Sequence, residues 1–492
     1  MEPQSGARVD MGNVGNKNMK PEFEFAGLAS DSREVKPGYL FAALAGSHAN
    51  GAAFISDAVK RGAVAVLARP EARGEAEKLG VRFIADENPR LRLAHFAAAF
   101  FGAQPSVVAA VTGTNGKTSV AVFLRQIWER LGRKSASMGT IGVVTLDGEI
   151  ALKHTTPDPI EVHALLARLA KSGIDHLALE ASSHGLDQNR LDAVKIAAAG
   201  FTNITRDHLD YHESFERYLA AKLRLFSEVV REHGIAVINT DAAHASDVVE
   251  TARKRGLKVL TVGETGETLK IVSRAPHGDG QTLGIRYEDK IYDVELPLAG
   301  SFQASNALVA AGLAIGLGDP ADKVFAALAH LKGAPGRLEK VAYAASGAPI
   351  YVDYAHTPDA LETVLTALRP HVRGTLSVVF GCGGDRDRGK RPLMGAAAQR
   401  LAGRVIVTDD NPRTEDAGEI RKSVLGGAPG AREIADRAEA IRAGISGLSG
   451  GDILVIAGKG HETGQIVGGE TRPFSDRDEA VKAAIAFGGR AA

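Results

Sequence analysis

Short apolar runs that pass directly into polar or glycine-rich loops recur along the chain. Early runs at residues 39–44 and 63–67 lie among alanine-rich stretches with helical character. From residue 106 onward, the apolar runs 106–111, 177–179 and 236–238 alternate with amphipathic helical segments. Strand and helix patterns that alternate in this way predict a parallel α/β sheet.

The same alternation returns after the turn-forming stretch Gly-Ala-Pro-Gly at residues 333–336. Four further apolar runs each end at a loop, which is where ligands bind in open parallel sheets. These runs are residues 349–352, 376–380, 404–407 and 453–456. We therefore predict three α/β domains, at residues 1–104, 105–335 and 336–492, with a flexible tail over about the first 20 residues.

Composition excludes several classes of partner. The 492 residues contain 59 Lys plus Arg and 59 Asp plus Glu, so no basic excess favours nucleic acid or an anionic membrane. No apolar run has the length of a membrane span, and the polar N-terminus has no signal-peptide core. The single cysteine, Cys382, fits a reducing compartment. We expect a cytoplasmic monomer that acts on small molecules, with no nucleic-acid partner and no membrane insertion.

The segment V-A-A-V-T-G-T-N-G-K-T-S at residues 108–119 has the form of a strand, a glycine-rich turn and a helix start. Such a turn aims backbone N–H groups at phosphates, while its lysine reaches the terminal phosphates and its threonine hydroxyl binds Mg²⁺. Val111 stands where the Walker pattern has its first glycine, so a chance glycine-rich turn is the alternative. The strand context and the G-K-T triplet favour ATP binding, by Gly113, Thr114, Asn115, Gly116, Lys117, Thr118 and Ser119.

Acidic and histidine residues follow two further apolar runs. Glu180 lies where a strand-like run meets a polar loop, so it is either a capping carboxylate or a group near a phosphate-bound metal. Asp207, His208, Asp210 and His212 fall within six residues, a density that fits metal ligands. A packing or capping role is the alternative for His212.

A lysine interrupts an apolar helical stripe. Residues 215–229 have helical periodicity, and Lys222 falls within their apolar face. The periodicity alone favours a lysine that extends from the helix edge to solvent. The other interpretation is a desolvated amine with a lowered pKa, which would suit a chemical role.

Three loops of the last block carry candidate anion-binding groups. Four basic residues occur within residues 386–391, directly after a glycine cluster at a predicted strand end. A charge run is usually a solvated face, but this position favours an anion site. In the loop at residues 408–416, Pro412 holds Asn411 and Arg413 close together. The loop at residues 457–462 also follows an apolar strand.

Four motifs resemble those of the Mur ligase family, which also includes the folylpolyglutamate synthases. They are T-G-T-N-G-K-T at 112–118, E-x-S-S-H-x-L-x-Q-x-R at 180–190, T-N-x-x-x-D-H-L-D-x-H at 202–212 and Y-x-x-A-K-x-x-L-F at 218–226. The resemblance extends over about residues 25–487. It implies a three-domain α/β architecture, with a central P-loop ATPase-like parallel sheet and a C-terminal Rossmann-like α/β domain.

The resemblance also assigns roles at the nucleotide end. It implies catalytic roles for Lys117, Glu180, His208 and a carbamylated Lys222, which reverses the balance of the two interpretations of that lysine. It implies Mg²⁺ binding by Thr118, Glu180, His208 and the Lys222 carbamate. Further ATP contacts are implied for Asn306, Arg337 and Asp353. A helix cap is the alternative role for Asn306. Gln303 departs from the family pattern.

Two sets of substrate contacts follow from the resemblance. It implies that a UDP-linked muramoyl dipeptide is bound by Ser30, Ser32, Ser47, His48, Ala49, His154, Thr155, Thr156, Ser182, Gln188 and Arg190. The D-N-P-R motif at 410–413 resembles the diaminopimelate-adding branch specifically. That branch implies meso-diaminopimelate binding by Arg386, Asp410, Asn411, Pro412, Arg413, Gly458 and Glu462.

The expected activity is that of an ATP- and Mg²⁺-dependent ligase in peptidoglycan precursor synthesis. By resemblance, ATP would phosphorylate the D-glutamate γ-carboxylate of UDP-N-acetylmuramoyl-L-alanyl-D-glutamate, and the diaminopimelate amine would attack the acyl phosphate. A lysine-adding relative and a folylpolyglutamate synthase-like ligase are the alternatives, and the D-N-P-R and G-K-G-H-E loops argue against the second. A non-catalytic nucleotide-binding regulator would not need Glu180, His208 and Lys222 beside an amino-acid pocket.

Overall fold

A computed structural model of the chain describes residues 23–46 and 50–492. Ser47, His48, Ala49 and the predicted tail lie outside the described residues. The chain forms two compact units. The smaller contains the described residues up to Ser106 with Thr156–Gly173 and Ser183–Lys195; the larger contains Val107–Thr155, Ile174–Ser182 and Ile196–Ala492. Two segments assigned to a central domain from sequence thus pack with the first block, and the boundaries near residues 104 and 335 stay predictions.

Several helices in the described residues begin where the sequence supplies a local signal. Pro89, Pro159 and Pro358 each occupy the first helical position, where the missing N–H costs no hydrogen bond. The helices are α1 (Ile55–Lys60), α2 (Arg73–Lys78), α3 (Pro89–Phe101), α4 (Lys117–Arg130), α5 (Pro159–Lys171), α6 (Ser183–Asp187), α7 (Leu209–His212), α8 (Phe215–Arg224), α9 (Ala245–Lys254), α10 (Ser301–Gly316), α11 (Ala321–Leu328), α12 (Pro358–Leu368), α13 (Lys390–Leu401), α14 (Ala417–Leu425), α15 (Arg437–Ser446) and α16 (Asp476–Ala486).

The smaller unit contains a parallel sheet of four strands. They pair in chain order and are β1 (Gly27–Ala29), β2 (Tyr39–Ala42), β3 (Ala65–Ala68) and β4 (Arg82–Ala85). The middle strands β2 and β3 are almost wholly buried, as expected for a parallel sheet covered on both faces. Both runs predicted in this block are therefore strands.

The larger unit contains a sheet whose parallel centre has the order β13-β12-β11-β10-β5-β9-β6. Antiparallel strands extend it at both ends. In chain order its strands are β5 (Val107–Thr112), β6 (Ser135–Gly139), β7 (Gly142–Thr145), β8 (Gly148–Ile150), β9 (His176–Glu180), β10 (Ile196–Phe201), β11 (Ile235–Asn239), β12 (Lys258–Gly263), β13 (Leu269–His277), β14 (Gly280–Tyr287) and β15 (Lys290–Leu296). The predicted parallel sheet is confirmed. The strands β13 and β15 were not predicted from sequence, because exposed, polar residues interrupt any apolar run in them.

The same unit contains a second sheet with the order β20-β19-β18-β21-β17-β16-β24. The four predicted runs form its parallel centre: β17, β18, β19 and β21. In chain order the strands are β16 (Glu339–Tyr343), β17 (Pro349–Asp353), β18 (Leu376–Phe380), β19 (Arg404–Val407), β20 (Arg432–Glu433), β21 (Ile453–Ala457) and β24 (Arg490–Ala491); β22 (Gly464–Val467) and β23 (Glu470–Pro473) form a separate hairpin. Within the described part of the chain, no helix has the length and apolar character that crossing a membrane requires.

Candidate active site

The predicted phosphate loop joins β5 to α4. Gly113 and Gly116 have φ values of 149° and 87°, in the region that favours glycine. The loop is fixed by the segment after β10: Thr114 N donates to Asn203 O at 2.8 Å, and Asn115 N donates to Asn203 Oδ1 at 3.0 Å. Thr202 Oγ1 closes the turn by donating to Asn115 O at 2.6 Å. The loop is therefore held in shape by a segment about 90 residues later in the chain.

Two lysine ammonium groups share one carbonyl of this loop. Lys117 Nζ donates to Gly113 O at 2.9 Å and to Thr114 O at 2.8 Å. Lys222 Nζ donates to the same Gly113 oxygen at 2.7 Å. Burial lowers the pKa of Lys117, and it is the largest cause of that shift. The phosphate loop thus has two amines at its centre, an arrangement that favours a bound anion.

Lys222 is buried, with 2% of its surface exposed. Its ammonium lies 4.5 Å from the centroid of the Tyr218 ring. Burial lowers the pKa of Lys222 well below its ordinary value, and the neighbouring charge of Lys117 lowers it further. The interpretation of Lys222 as a solvent-exposed lysine at the helix edge is therefore wrong. Its helix α8 passes into a π-helical turn, Leu225–Val229, so the predicted helical segment is continuous but changes its winding.

Glu180 occupies the carboxyl end of β9, beside the start of α4. Its Oε2 accepts hydrogen bonds from Thr118 Oγ1 at 3.0 Å and Thr140 Oγ1 at 3.1 Å, and its Oε1 accepts from Thr140 N at 2.8 Å. Thr155 extends this network, since its hydroxyl lies 3.0 Å from that of Thr140. Glu180 is 2% exposed, so the hydroxyl groups hold a buried carboxylate next to the phosphate loop.

His208 lies on the exposed side of the same region. It has φ 52°, directly precedes α7, and its Nε2 is 3.5 Å from Asp207 Oδ2. Its ring centroid is 6.3 Å from that of Tyr218, whose hydroxyl lies 2.9 Å from Thr114 Oγ1. Among the described residues, no group of three or more His, Cys, Asp or Glu side chains forms a metal cluster by itself. A metal here would thus need ligands from outside that set, such as hydroxyls and phosphates.

Asn306 lies in α10 against the phosphate loop. A Cβ on Gly116 would lie 2.4 Å from Asn306 Oδ1, so the two approach closely. Asn306 Nδ2 donates to Gln303 Oε1 at 3.3 Å, and Gln303 Nε2 donates to Arg337 O at 3.1 Å. Asn306 is in the second turn of its helix and Gly300 is the N-cap, so the helix-cap alternative is wrong. This chain of contacts joins the phosphate loop to the start of the third predicted domain.

Asp353 ends β17 and is buried. Its two carboxylate oxygens accept hydrogen bonds from Leu338 N at 2.6 Å and Ala355 N at 2.7 Å. Burial raises its pKa to about 6. Arg337 is stacked over Tyr354, with 4.6 Å between the guanidinium carbon and the ring centroid. Both predicted nucleotide contacts from this region therefore have fixed conformations.

The loops after β19 and β21 meet around a buried lysine that the sequence analysis did not single out. Lys459 Nζ donates to Asn411 Oδ1 at 2.9 Å and to Glu462 Oε2 at 3.1 Å. The same Glu462 oxygen accepts from Asn411 Nδ2 at 2.9 Å, so three side chains close a ring of hydrogen bonds. Gly458 packs against Asp410, where an added Cβ would lie 2.5 Å from Asp410 Oδ2. Burial raises the pKa of Asp410.

Arg413 and Arg386 are positioned by backbone carbonyls. Arg413 Nη1 donates to Gly384 O at 2.8 Å, and Arg386 Nη1 donates to Asp385 O at 3.0 Å. Arg413 has φ 52°, and its N–H and C=O bond to Ile466 and Gly468 of the β22–β23 hairpin. Pro412, which precedes it, is buried. Arg386 is exposed, so the structure gathers Asn411, Arg413 and Glu462 around the hairpin and leaves Arg386 on the neighbouring loop.

The predicted UDP-side residues fall in both compact units. In the smaller unit, Arg190 donates to Thr156 O at 2.7 Å and to Gln188 Oε1 at 2.8 Å, so these three lie together. Ser30 is exposed and Ser32 is buried in the same unit. In the larger unit, His154 is exposed and Thr155 joins the Glu180 network. Ser182, also in the larger unit, lies two residues after Glu180 and is half-buried.

Three family models match the chain along its length. They are "Mur ligase family, catalytic domain" at residues 24–101, "Mur ligase middle domain" at 111–314 and "Mur ligase, glutamate ligase domain" at 336–460. The chain belongs to the Mur ligase family. The predicted three-domain α/β fold class is confirmed by these matches and by the observed sheets.

Relatives of this Mur ligase are similar over nearly its whole length. A protein of Bradyrhizobium diazoefficiens, named UDP-N-acetylmuramoyl-L-alanyl-D-glutamate–2,6-diaminopimelate ligase, is 56% identical over 467 residues, covering 94% of this chain and 95% of that protein. A solved structure with the same name has 38% identity and a TM-score of 0.71, with 94% and 95% covered. A Mycobacterium tuberculosis folylpolyglutamate synthase complexed with ADP has 20% identity and a TM-score of 0.61, covering 79% and 95%, which shows a shared fold alone.

Sequence reasoning missed residues whose importance depends on distant partners. Thr140 gives Glu180 two hydrogen bonds, and Asn203 gives the phosphate loop two more. Thr140 directly follows β6, and the G-T pair at residues 139–140 was the local signal available for it. Lys459 lies inside the recognised G-K-G-H-E motif, but its hydrogen bond to Asn411, 48 residues away in the chain, has no signal in that motif.

We expect Gly113→Ala to weaken ATP binding at least tenfold. A Cβ there would lie 1.9 Å from Thr202 Oγ1 and 2.9 Å from Asn203 O, and the loop backbone would have to move. Calorimetric titration with a non-hydrolysable ATP analogue measures the loss. Gly132→Ala is the control, because Gly132 also has positive φ, 77°, but no atom of the described residues lies within 4 Å of its added Cβ. Equal affinities in the two variants would contradict this account of the loop.

Proposed function

We propose that this chain is the ATP-dependent ligase that adds meso-diaminopimelate to UDP-N-acetylmuramoyl-L-alanyl-D-glutamate. The observation that carries the proposal is 56% identity, over 94% of the chain, to a relative named for that reaction. The phosphate loop with its two amines and the ring around Lys459 give the two ends of the reaction chemically suitable sites. ATP would convert the γ-carboxylate of the acceptor to an acyl phosphate, and the amine of diaminopimelate would displace the phosphate.

Positive groups at the phosphate loop support phosphoryl transfer. The charge that develops on the transferred phosphoryl group needs stabilisation by groups already in place. The Lys117 ammonium and the N-terminus of α4 lie at the loop, and the Lys117 amine is held there by two carbonyls. In this proposal the nucleotide's phosphates replace those carbonyls as partners of Lys117, while Asn306, Arg337 and Asp353 contact the rest of ATP.

The residues near the loop also fit Mg²⁺. Mg²⁺ is generally held by one or two carboxylates together with phosphate oxygens, and it supplies positive charge to the transferred group. Glu180 and Thr118 lie 3.0 Å apart beside the loop and provide a carboxylate and a hydroxyl. We assign His208 and a modified Lys222 as the further ligands. The side chain of His208 is half-exposed.

Lys222 acts in this proposal as a carbamate. Its buried amine has a lowered pKa and therefore a larger neutral fraction, which is the form that reacts with CO₂. The nitrogen forms a bond to the carbon of CO₂ and releases one proton to solvent. The product replaces a cation next to Lys117 with an anion. That change removes a like-charge repulsion at Gly113 and provides a carboxylate for the metal.

The ring around Lys459 supports an amino-acid substrate. Glu462 is a carboxylate that can pair with a substrate ammonium, and Arg413 offers a guanidinium that can grip a distal carboxylate in two parallel bonds. Asn411, Asp410, Pro412 and Gly458 shape the loops between them. L-lysine has no distal carboxylate, so this arrangement favours diaminopimelate over the lysine-adding alternative. Arg386, on the adjacent loop, is assigned to the same carboxylate.

We place the enzyme in the cytoplasm, in peptidoglycan precursor synthesis, as a monomer. The single cysteine is buried and unpaired, which suits a reducing compartment. The reaction's ATP and UDP-linked acceptor are small, charged molecules. The remaining predicted acceptor contacts, among them Ser182, Gln188 and Arg190, supply the hydroxyl, amide and guanidinium donors that such a molecule requires.

The first prediction concerns the reaction. ADP release is expected to require the UDP-linked muramoyl dipeptide, meso-diaminopimelate and Mg²⁺ together, because the acyl phosphate forms on one substrate and is consumed by the other. A coupled assay for ADP with each component omitted in turn measures this. Brisk turnover with a pteroyl-glutamate acceptor and none with the muramoyl dipeptide would support the folylpolyglutamate synthase alternative instead.

The second prediction concerns the amino acid. Arg413→Ala is expected to lower kcat/KM for meso-diaminopimelate at least about tenfold, since losing a charge-assisted bidentate contact costs roughly 2–5 kcal/mol. The KM for ATP should change less than about twofold, a factor worth under about 0.5 kcal/mol. Arg472→Ala is the control, because Arg472 is an exposed arginine of the nearby hairpin. A wild-type kcat/KM in Arg413→Ala would refute the assignment.

The third prediction concerns Lys222. Lys222→Arg keeps positive charge but cannot form a carbamate, so its kcat is expected to fall at least about 100-fold. Lys222→Ala should be equally impaired and should regain part of its activity with added short carboxylic acids. Lys482→Arg, at an exposed lysine, is the control. Intact-protein mass spectrometry under bicarbonate tests for the adduct; a bare amine together with an active Lys222→Arg variant would rule the carbamate out.

A further inference from the structure

Glu415 lies where the loop after β18 meets the loop after β19. Its Oε1 accepts hydrogen bonds from Asp385 N at 2.6 Å and Arg391 Nη2 at 2.9 Å. Its Oε2 accepts from Arg391 Nη1 at 3.1 Å and lies 3.2 Å from Arg388 Nη2. One carboxylate therefore holds the Arg388 guanidinium and a backbone N–H of the opposite loop, together with the guanidinium of Arg391 at the start of α13.

A second set of contacts joins the same two loops, and here a side chain of the loop after β18 accepts from the loop after β19. Asp385 accepts hydrogen bonds from Thr414 Oγ1 at 2.7 Å and Thr414 N at 3.2 Å. In the same direction as the Glu415 contacts, Gly384 N donates to Asn411 O at 2.9 Å, and an added Cβ on Gly384 would lie 1.9 Å from Pro412 O. The two loops are thus fastened along their length, with no room between their backbones for a side chain at Gly384.

The arginines of this region fall into two classes, those paired with Glu415 and those bonded to backbone carbonyls. Arg388 and Arg391 are paired with Glu415, and Arg391 is buried, with 4% of its side chain exposed. Arg386 and Arg413 donate to backbone carbonyls, and neither forms an ion pair within the described ranges 23–46 and 50–492. Arg391 and its neighbours hold the pKa of Glu415 at about 2, so the carboxylate stays ionised at neutral pH.

We infer that Glu415 is a positioning residue for the amino-acid substrate: it neutralises Arg388 and Arg391 and fixes the two loops so that Arg386 and Arg413 remain for the substrate's distal carboxylate. This inference rests on the proposed function, because that function assigns the two arginines to diaminopimelate. Glu415 itself is not expected to touch substrate. Its effect is on the distance and direction between two guanidinium groups on separate loops.

The test is Glu415→Gln, which keeps the shape of the side chain and removes its charge. KM for meso-diaminopimelate is expected to rise about tenfold or more, because two loosened loops no longer present both arginines together. The kcat at saturating diaminopimelate and the KM for ATP should stay within about threefold, a factor worth under about 1 kcal/mol. The preference for meso-diaminopimelate over L-lysine should fall. If Glu415 had only a structural role, Glu415→Gln would lower thermal stability, but it would not raise KM for diaminopimelate while kcat stays unchanged.

Two further variants make the result decisive. Glu362→Gln is the matched control, since it removes a carboxylate from an exposed arginine pair of the same sheet's helices, Glu362–Arg400, and should leave every parameter unchanged. Thr414→Val removes one contact of the reverse set and should raise KM for diaminopimelate in the same direction by a smaller factor. Thr414→Val replaces Glu415→Gln as the test if Glu415→Gln does not fold.

The outcomes separate this inference from the function it rests on. If the wild-type enzyme does not use diaminopimelate, the proposed function fails. In the other case the wild-type enzyme uses diaminopimelate, and both variants, Glu415→Gln and Thr414→Val, keep the wild-type KM for diaminopimelate and the wild-type discrimination against L-lysine. The proposed function then stands and the positioning role of Glu415 is wrong.

Discussion

The carbonyl oxygen of Gly113 is the point on which the nucleotide end of the molecule depends. It accepts hydrogen bonds from both Lys117 and Lys222, so two ammonium groups converge at one neutral acceptor. Two like charges in a buried position repel each other, and the charge of Lys117 lowers the pKa of Lys222 beyond the effect of burial. Such an arrangement is stabilised when an anion arrives or when one of the amines changes its charge. The phosphate binding and the lysine modification that we propose would each relieve this repulsion.

The polar groups around that point all lie where parallel strands end. Gly113 follows β5, Glu180 ends β9, and Asn203 follows β10, which are neighbours in one sheet. In the second sheet, Asp353 ends β17 and the loops after β18, β19 and β21 provide the candidate amino-acid contacts. Carboxyl ends of parallel strands share one edge, so residues far apart in sequence are brought together without any long side-chain reach.

This geometry explains how much the sequence could predict. Apolar runs such as 376–380 and 404–407 predicted strands whose bounds the structure reproduces, because buried parallel strands are apolar on both faces. Glu180 and the phosphate loop were recognisable because each directly follows such a run. The contacts of Thr140, Lys459 and Glu415 were not, since each depends on loop pairings that no local pattern encodes. The packing of residues 156–173 and 183–195 with the first block likewise depends on tertiary contacts.

The charged side chains around the second sheet are of two kinds, those in buried ion pairs and those without an ion pair among the described residues. Arg437 and Asp476 form a wholly buried pair with distances of 2.6 and 2.7 Å, and Arg437 also donates to the carbonyls of Ala457 and Asp409. This pair anchors the loops after β21 and β19 from within. A buried ion pair contributes little net stability, but removal of one partner strands the other in a low-dielectric interior. Its value here is geometric, because the carboxylates bound to Arg437 and Arg391 fix the loops. In the proposed function, Arg386 and Arg413, which form no ion pair among the described residues, would select the substrate by charge.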